Sequence, residues 1–532
     1  MTNQKISISY LSNSLKNHWK SDLSAGFIIS LIALPLCLGI AMASGLPPMA
    51  GLIAGIVGGL FLSLTGGSHL TINGPAAGLA VIVLTSIEGF KQMAPAGFSP
   101  EQIELFAYQN TLAVGLACGA LQILFGFAKA GVLSSFFPSS VVHGMLAAIG
   151  IMIFSKQIHV ALGVKPEAKE MLEIIAAIPS SIMHLNPHIA IISLVSLVIL
   201  IGHPFLKNKY LKMIPAPLAV VLIAIPLGHY FNLEAETKYL VSVPAHIADG
   251  IVFPDFSNLF TPFGIQMIVT YALVASLESL LTAAAIDRLD PEKRTSDFNR
   301  ELFSKGSGNI LSSFFGGLPI IAEVVRSSAN INNGAKSPWA NFFHGMFLLI
   351  FVVFLGGIIH QIPLSALAAM LMVTGYRLAS PQSFIHTYKI GKEQLIIFVS
   401  TIIFTLAVDL LVGILAGILV KLLIHIMNGL PLKSMFKPFL TIDKTDENTY
   451  HVEVLYSAVF SNFIGFKKKI MSLPSGKTIE IDFANTKLVD HTVMENLKEM
   501  KSKYEENGGR FEILGLEEHK SLSDHHVSAR KK

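Results

Sequence analysis

The chain has 532 residues, of which 52% are hydrophobic and only 14% are charged, and its mean hydropathy is +0.60. A chain this apolar would be insoluble as a water-facing globule, so we predict an all-α polytopic membrane domain in contact with lipid. The formal net charge of +4 is small for this length and excludes nucleic acid as the partner of a basic patch. Cys37 and Cys118 lie far apart in apolar segments and are expected to be buried free thiols.

Membrane spans are predicted from the length that a helix needs to cross the bilayer, about 20 mainly apolar residues. A polar segment, 1–22, is expected to be cytoplasmic and to precede a transmembrane domain at 23–430. Plain spans within that domain are predicted at 24–44, 47–65, 109–130, 132–157, 187–206, 213–231, 261–283, 338–357, 361–378, 393–408 and 409–428. Shorter or interrupted candidates lie at 74–89, 302–315 and 325–335, which brings the expected total to about 14 elements.

The orientation is predicted from Lys and Arg, which are in excess in cytoplasmic loops. With both termini inside, the cytoplasmic loops would hold Lys207, Lys209, Lys212, Arg288, Lys293, Arg294, Arg300, Lys389 and Lys392. The opposite side would hold Lys91, Lys156, Lys165, Lys169 and Lys238, several of them close to acidic residues. The N- and C-termini are therefore predicted to be cytoplasmic.

The composition changes after about residue 440, where charges become frequent. The stretches TYHVEVLYSAVF and KTIEIDFAN alternate like strands, and TVMENLKEMKSKYEENGG has the spacing of an amphipathic helix. A small soluble α/β domain is predicted at 440–518. The last residues, 519–532, are polar and are predicted to form a disordered tail.

Two interrupted segments occur at corresponding places in the two halves of the membrane domain. A Gly-Gly pair at 66–67 is followed, eight positions after Gly66, by Gly74-Pro75 and a short apolar helix. A second pair at 316–317 is followed, eight positions after Gly316, by Val324, which opens another short helix. The extended runs HLTI and LPII lie between each pair and its helix. This repetition is typical of transporters built from internal repeats, with two half-helices at the binding site.

Two half-helix N-termini that meet inside a protein would attract a small anion through free N–H groups and the positive ends of the helix dipoles. Arg326, in the first turn of the second half-helix, would add a fixed positive charge. A charged residue at membrane depth is costly and is usually functional. The alternative is a structural Arg326 that pairs with Glu323 or reaches the membrane interface.

A second polar feature is Glu278, which stands in an apolar helix with Thr282 one turn later on the same face. A carboxylate and a hydroxyl so placed could hold a coupling cation, either a proton at Glu278 or a sodium ion bound by both residues. The alternatives are a structural partner of Arg326 and a role in helix packing.

These segments resemble the sulfate permease (SulP) family of anion transporters along nearly the whole chain. The matching stretches are ALPLCLGIAMASGLPPMAGLIAG, GGSHLTINGPAAGLAVIV, ASLESLLTAAAIDRLDPEKRTSDFNREL and GSGNILSSFFGGLPIIAEVVRSSANINNGAKSP. The C-terminal part is similar to a STAS module, in which Thr492 occupies the position of a phosphorylatable serine. PLCLGIA and VVRSSAN look more like the bacterial branch that is often associated with carbonic anhydrase.

The resemblance implies a 7+7 inverted repeat, a homodimer in the bacterial plasma (inner) membrane, and an anion held between two half-helices. It places Gly74, Pro75 and Ala76 at the first half-helix start, and Val325, Arg326 and Ser327 at the second. ESLLT resembles the sodium-site segment of cyanobacterial bicarbonate transporters, with Glu for Asp, which supports Glu278 and Thr282 as ligands of a coupling Na⁺.

The expected function is secondary active transport of a small inorganic anion, bicarbonate before sulfate, coupled to Na⁺ or H⁺. The alternatives are a passive anion channel or exchanger and a dicarboxylate transporter. An enzyme is not expected, because no metal-ligand pair, nucleophile triad or phosphate loop occurs at usable spacing, and no cofactor is expected apart from Na⁺ as a coupling ion.

Overall fold

The computed structural model describes residues 6–135, 138–166, 168, 170–208, 211, 213–242, 247–506 and 508–532. Three lysines used to predict the orientation, Lys169, Lys209 and Lys212, lie outside the described residues. The chain forms two compact units. One combines the residues up to 131 with 149–378, and the other combines 132–148 with 379–532.

The first unit is built mainly of apolar α-helices. They are α1 (Ile8–Ala43), α2 (Pro48–Leu60), α3 (Leu62–Thr65), α4 (Ala77–Gln92), α5 (Pro100–Phe127), α6 (Ser139–Ala161, which begins in the second unit), α7 (Met171–Ala176), α8 (Ile178–Met183), α9 (Pro187–Gly202), α10 (Ala216–Tyr230), α11 (Pro262–Leu289), α12 (Phe298–Phe314), α13 (Val324–Asn332), α14 (Trp339–Ile359) and α15 (Leu364–Leu378).

Membrane-crossing length is reached by eight helices within the described part of the chain, judged by length and apolarity. This count takes α2 with α3 as one helix and α9 with the 3-10 turn that extends it to Phe205 as another. The prediction of a polytopic helical membrane protein is confirmed, and the total of 14 elements stays a prediction. Helix α1 begins at Ile8, within the segment 1–22, and the cytoplasmic location of that segment stays a prediction. The hydroxyl of Ser7 caps this helix by accepting the N–H of Tyr10 at 3.2 Å, and the helix then runs on into the apolar part.

A two-stranded antiparallel ribbon lies inside the first unit. Strand β1 (Asn73–Pro75) pairs with β2 (Ile320–Ala322), and all six residues are buried. The first strand lies later than the predicted run HLTI, and Gly74 and Pro75 belong to this strand, not to the helix. Pro75 is tolerated because a two-stranded ribbon leaves one edge of each strand without a ladder partner.

The second unit contains three further apolar helices and the C-terminal α/β domain. The helices are α16 (Pro381–Ile390), α17 (Lys392–Ala407) and α18 (Leu410–Met427). The domain contains α19 (Phe460–Met471), α20 (His491–Glu506), β3 (Phe439–Lys444), β4 (Thr449–Ala458), β5 (Thr478–Asp482), β6 (Thr486–Val489), β7 (Arg510–Leu514), β8 (Lys520–Ser521) and β9 (Arg530–Lys531).

The sheet of this domain confirms the α/β prediction. Its strands run in the order β7-β5-β4-β6-β9-β8, with β3 antiparallel to β4 and with β4 parallel to β5 and β6. Alternate strand residues such as Val452, Ile479 and Ile481 pack against the apolar faces of α19 and α20, including Phe463 and Leu497. Gly508, at a φ of 82°, leads the chain from α20 into β7.

The predicted disordered tail, 519–532, is wrong. Strand β9 pairs with β6 and with β8, so the last residues extend the sheet. The side chain of His519 bridges this segment to the sheet, since its Nε2 lies 2.6 Å from the carbonyl oxygen of Thr486. Polar composition suggested disorder, but backbone pairing to a sheet edge needs no apolar side chains.

A buried ion pair joins α18 to the C-terminal domain. Lys421 Nζ lies 3.1 Å from Asp490 Oδ2 and donates to Thr492 Oγ1 at 2.7 Å, and none of these side chains is more than 1% exposed. Asp490 also accepts the N–H groups of Phe460 and Val493, at the starts of α19 and α20. Burial raises the pKa of Asp490, but the Lys421 charge and these N–H groups lower the pKa by more, so the group stays ionised.

Candidate functional site

The ribbon brings together the starts of the two half-helices. Strand β1 leads through Ala76, the N-cap residue, into α4, and β2 leads through Glu323 into α13. Because the strands are antiparallel, with Gly74 opposite Ile321, the helices leave opposite ends of the ribbon and their N-termini flank it. The predicted arrangement of two broken helices joined by extended segments is therefore present, with the first helix starting at Ala77.

Arg326 lies across the first strand. Its side chain is 1% exposed, its Nη2 donates to the carbonyl oxygen of Pro75, and its Nη1 lies 3.7 Å from the sulfur of Cys37 on α1. A Cβ added at Gly74 would lie 2.9 Å from Nη1, so glycine is the residue that leaves room for the guanidinium. The guanidinium of α13 is thus held at the strand that leads into α4.

Glu323 is the ion-pair partner of Arg326 in the described part of the chain. Its Oε2 accepts the backbone N–H of Arg326 at 2.7 Å and lies 3.5 Å from Arg326 Nε, a contact that lacks hydrogen-bond geometry. The sequence interpretation treated Glu323 only as the partner in a structural alternative. The spacing Glu-x-x-Arg at a helix start is the signal that could have assigned it as the N-cap residue.

The two neighbours of Arg326 differ in what they can offer an anion. Val325 is 47% exposed. The first intrahelical bond of α13 runs from the N–H of Ser327 to the carbonyl of Glu323 at 3.0 Å, so the N–H of Val325, two residues earlier, comes before the bonds of the helix. The Ser327 hydroxyl is buried, donates to the same carbonyl at 2.6 Å and accepts the N–H of Ile72 at 2.8 Å. These contacts give Ser327 a structural task between α13 and β1.

Glu278 lies against the first turn of α4. A Cβ added at Gly78 would be 2.1 Å from Glu278 Oε1 and 2.6 Å from Oε2, so the absence of a side chain at Gly78 is what admits the carboxylate. The Glu278 side chain is buried, and Oε1 has no hydrogen-bond partner among the described residues. A buried carboxylate oxygen without a donor is a strong acceptor for a cation or a proton.

Thr282 is buried one turn after Glu278 on α11. The next residue after Glu278 ties the same helix to the ribbon, since Ser279 Oγ accepts the N–H of Ala322 at 3.4 Å. Helix α11 therefore carries Glu278 to the half-helix starts, and the role of Glu278 and Thr282 as cation ligands stays a prediction. The alternative in which Glu278 pairs with Arg326 is not what the structure shows, because the ion pair of Arg326 is with Glu323.

The fixed charges of the site sum to minus one when all three groups are ionised. Glu278 and Glu323 contribute two negative charges, and Arg326 contributes one positive charge. The dipoles of α4 and α13 add only partial positive charge at the helix starts. An anion that enters with both carboxylates ionised would therefore meet a site without net positive charge.

A helical membrane domain with two half-helices on a buried ribbon, followed by an α/β domain, defines a secondary-transporter type of membrane protein. The sequence model of the sulfate permease family matches residues 19–401. The chain belongs to this family, whose members are anion transporters, among them sulfate and bicarbonate transporters, and not enzymes.

Two sequence relatives illustrate the range of the family. The candidate sulfate transporter YvdB of Bacillus subtilis is 27% identical over 402 residues, which cover 74% of this chain and 70% of that protein. The bicarbonate transporter BicA of a Picosynechococcus species is 25% identical over 395 residues, or 73% of this chain and 67% of that protein.

Solved structures show the same fold. The transmembrane domain of a cyanobacterial BicA gives a TM-score of 0.63 at 22% identity and covers 75% of this chain and 97% of that one. SLC26A9 gives a TM-score of 0.70 at 17% identity and covers 98% and 88%. The second likeness extends over nearly the whole chain, including the C-terminal domain.

Proposed function

We propose that this protein is a secondary active transporter that carries a small inorganic anion together with Na⁺ or H⁺. The observation that carries the proposal is Glu278, a buried carboxylate set against the first turn of α4, with one oxygen that has no hydrogen-bond partner among the described residues. The anion would bind at the starts of α4 and α13, near Gly74, Pro75, Ala76, Val325 and Arg326. Glu278 and Thr282 would hold the cation.

The charge balance explains why the two ions would bind together. Arg326 is already neutralised by Glu323, so an anion adds a second excess negative charge to a site that holds minus one. Two unit charges about 4 Å apart repel by about 4 kcal/mol at an effective dielectric constant of 20. A sodium ion or a proton at Glu278 removes this repulsion, so anion and cation binding should be positively and reciprocally cooperative.

The same balance favours bicarbonate over sulfate. One guanidinium that is already paired can accommodate a monovalent anion with a single coupling cation, whereas divalent sulfate leaves one more negative charge in the site. The similarity to BicA, named as a bicarbonate transporter, supports this choice, and the similarity to YvdB keeps sulfate as the next candidate.

The proposed setting is the bacterial plasma membrane, with both termini in the cytoplasm and with the protein as a homodimer. The loop charges support the orientation. The homodimer is what the family resemblance implies, and cross-linking in native membranes would test it.

The test is uptake of labelled bicarbonate, sulfate and fumarate into proteoliposomes with and without an imposed Na⁺ or pH gradient. Concentrative bicarbonate uptake that depends on one of the gradients is expected. Electrically driven or exchange flux that ignores both gradients would instead indicate a channel or an exchanger, and preferred fumarate uptake would indicate a dicarboxylate transporter. Either result would overturn the proposal.

A further inference from the structure

The first residue of each ribbon strand donates its backbone N–H to a buried asparagine side chain. Asn73 N lies 3.1 Å from Asn341 Oδ1, and Ile320 N lies 2.5 Å from Asn309 Oδ1. Asn341 is on α14 and Asn309 is on α12, and both are at most 2% exposed. The two strands are thus held at their starts by the same kind of bond from two different helices.

The amide group of each asparagine is also fixed at its nitrogen. Asn341 Nδ2 donates to the carbonyl of Gly58 at 2.9 Å, which ties β1 to α2. Asn309 Nδ2 donates to Gln122 Oε1 at 2.6 Å. Gln122 in turn donates to Ser276 Oγ at 3.2 Å, two residues before Glu278 on α11. A hydrogen-bonded chain therefore connects the start of β2 to the helix that carries Glu278.

Each asparagine also lies about one turn from a close helix crossing. A Cβ added at Gly59 of α2 would lie 2.4 Å from Cα of Gly345 on α14, four residues after Asn341. A Cβ added at Gly119 of α5 would lie 2.5 Å from the carbonyl oxygen of Gly306 on α12, three residues before Asn309. Backbones this close interlock and leave each asparagine little freedom to shift.

We infer that Asn309 and Asn341 are positioning residues that hold β1 and β2 in register and so keep the starts of α4 and α13 together as one anion site. The inference rests on the proposed function and deepens it. Neither asparagine need touch the anion, because each acts through the strand that precedes a half-helix. Loss of either bond leaves a buried N–H without its acceptor and frees one strand start.

A matched control exists in the same unit. Asn110 on α5 is also buried, and its Oδ1 accepts the backbone N–H of Asn258 at 3.3 Å, while its Nδ2 donates to the carbonyl of Phe106. Its backbone partner, Asn258, lies outside both strands and both half-helices. Removing this side chain costs a similar bond without changing the ribbon.

The experiment compares Asn309→Leu and Asn341→Leu with Asn110→Leu in purified, monodisperse protein. Leucine is chosen because its volume is similar to that of asparagine. All three variants should lower the thermal unfolding temperature, because leucine makes no hydrogen bond to the buried backbone N–H. Only the first two should weaken bicarbonate binding, by about ten- to hundredfold as for other residues that orient a binding group, and reduce its dependence on the cation. Unchanged bicarbonate affinity in both would overturn the inference.

A second measurement leaves both asparagines in place. Hydrogen–deuterium exchange in the wild-type protein should show protected amides at Asn73 and Ile320. The variant Gln122→Leu removes the acceptor of the Asn309 side-chain amide. In this variant, exchange should accelerate at Ile320 but not at Asn73. Fast exchange at both amides in the wild type would refute the inference. Failure of the proposed function is distinguishable, because the wild type would then bind anions without any cation dependence while both amides stayed protected.

Discussion

Replacing Gly78 by alanine tests whether the cation site depends on the close approach of Glu278 to α4. The new Cβ would lie 2.1 Å from Oε1, 2.6 Å from Oε2 and 2.7 Å from Cδ of Glu278. Ordinary contact requires about 3.5 Å, so the carboxyl group must retreat by more than about 1 Å. Because this group is the end of a flexible side chain and alanine favours helix, the protein should fold normally.

The expected result is a cation requirement raised about ten- to hundredfold, the range observed when a binding group is displaced by about 1 Å. The assay is bicarbonate uptake into proteoliposomes over a series of Na⁺ concentrations, and separately over a series of pH values. Gly356→Ala on α14 is the control, since a Cβ added there would have no described atom within 4 Å apart from the adjoining backbone of its own helix. A Gly78→Ala protein with the wild-type cation requirement would refute this account of Glu278.

Three further predictions concern Arg326, Thr282 and the buried pair of Lys421 and Asp490. Arg326→Ala should weaken anion binding about a hundredfold in a folded protein, and unchanged affinity by calorimetry would contradict this. Thr282→Ala should raise the Na⁺ requirement of uptake if sodium is the coupling ion and do little if a proton is, and an unchanged Na⁺ requirement in a sodium-driven protein would contradict a sodium-ligand role. Lys421→Met should destabilise the protein by about 3–5 kcal/mol, because it leaves the buried charge of Asp490 uncompensated. The double variant Lys421→Met/Asp490→Asn should recover most of this loss in thermal unfolding, and a double variant as unstable as Lys421→Met would count against the reasoning.

The second half-helix could be predicted closely and the first less so, for a physical reason. Val324 opens α13 as predicted from the repeated spacing after Gly316, and Glu323 caps this helix start by accepting the N–H of Arg326. Gly74-Pro75 also reads as a helix start, since proline is favoured in the first turn. In the structure these residues pair with Ile321 and Ile320, so the ribbon overrides the local preference and α4 begins at Ala77.

Contacts between distant segments were the part that sequence reasoning missed. Glu278 was predicted as a coupling residue from its apolar surroundings, but its approach to Gly78 depends on how α11 and α4 pack. Asn309 and Asn341 occur as single polar residues in helical stretches, and their partners lie in strands elsewhere in the chain. Periodicity shows which face of a helix is apolar and does not show which backbone group will meet an asparagine there.

The central claim is that Glu278 couples anion transport to a cation, and one measurement tests it most directly. Wild-type protein and Glu278→Gln are reconstituted side by side, and accumulation of labelled bicarbonate is measured against an imposed Na⁺ gradient at constant pH and against an imposed pH gradient without Na⁺. The wild type should accumulate bicarbonate in proportion to one of the gradients, whereas Glu278→Gln, which mimics the neutral carboxyl group, should retain exchange but lose gradient-driven accumulation. Accumulation by Glu278→Gln in proportion to the same gradient would contradict the account.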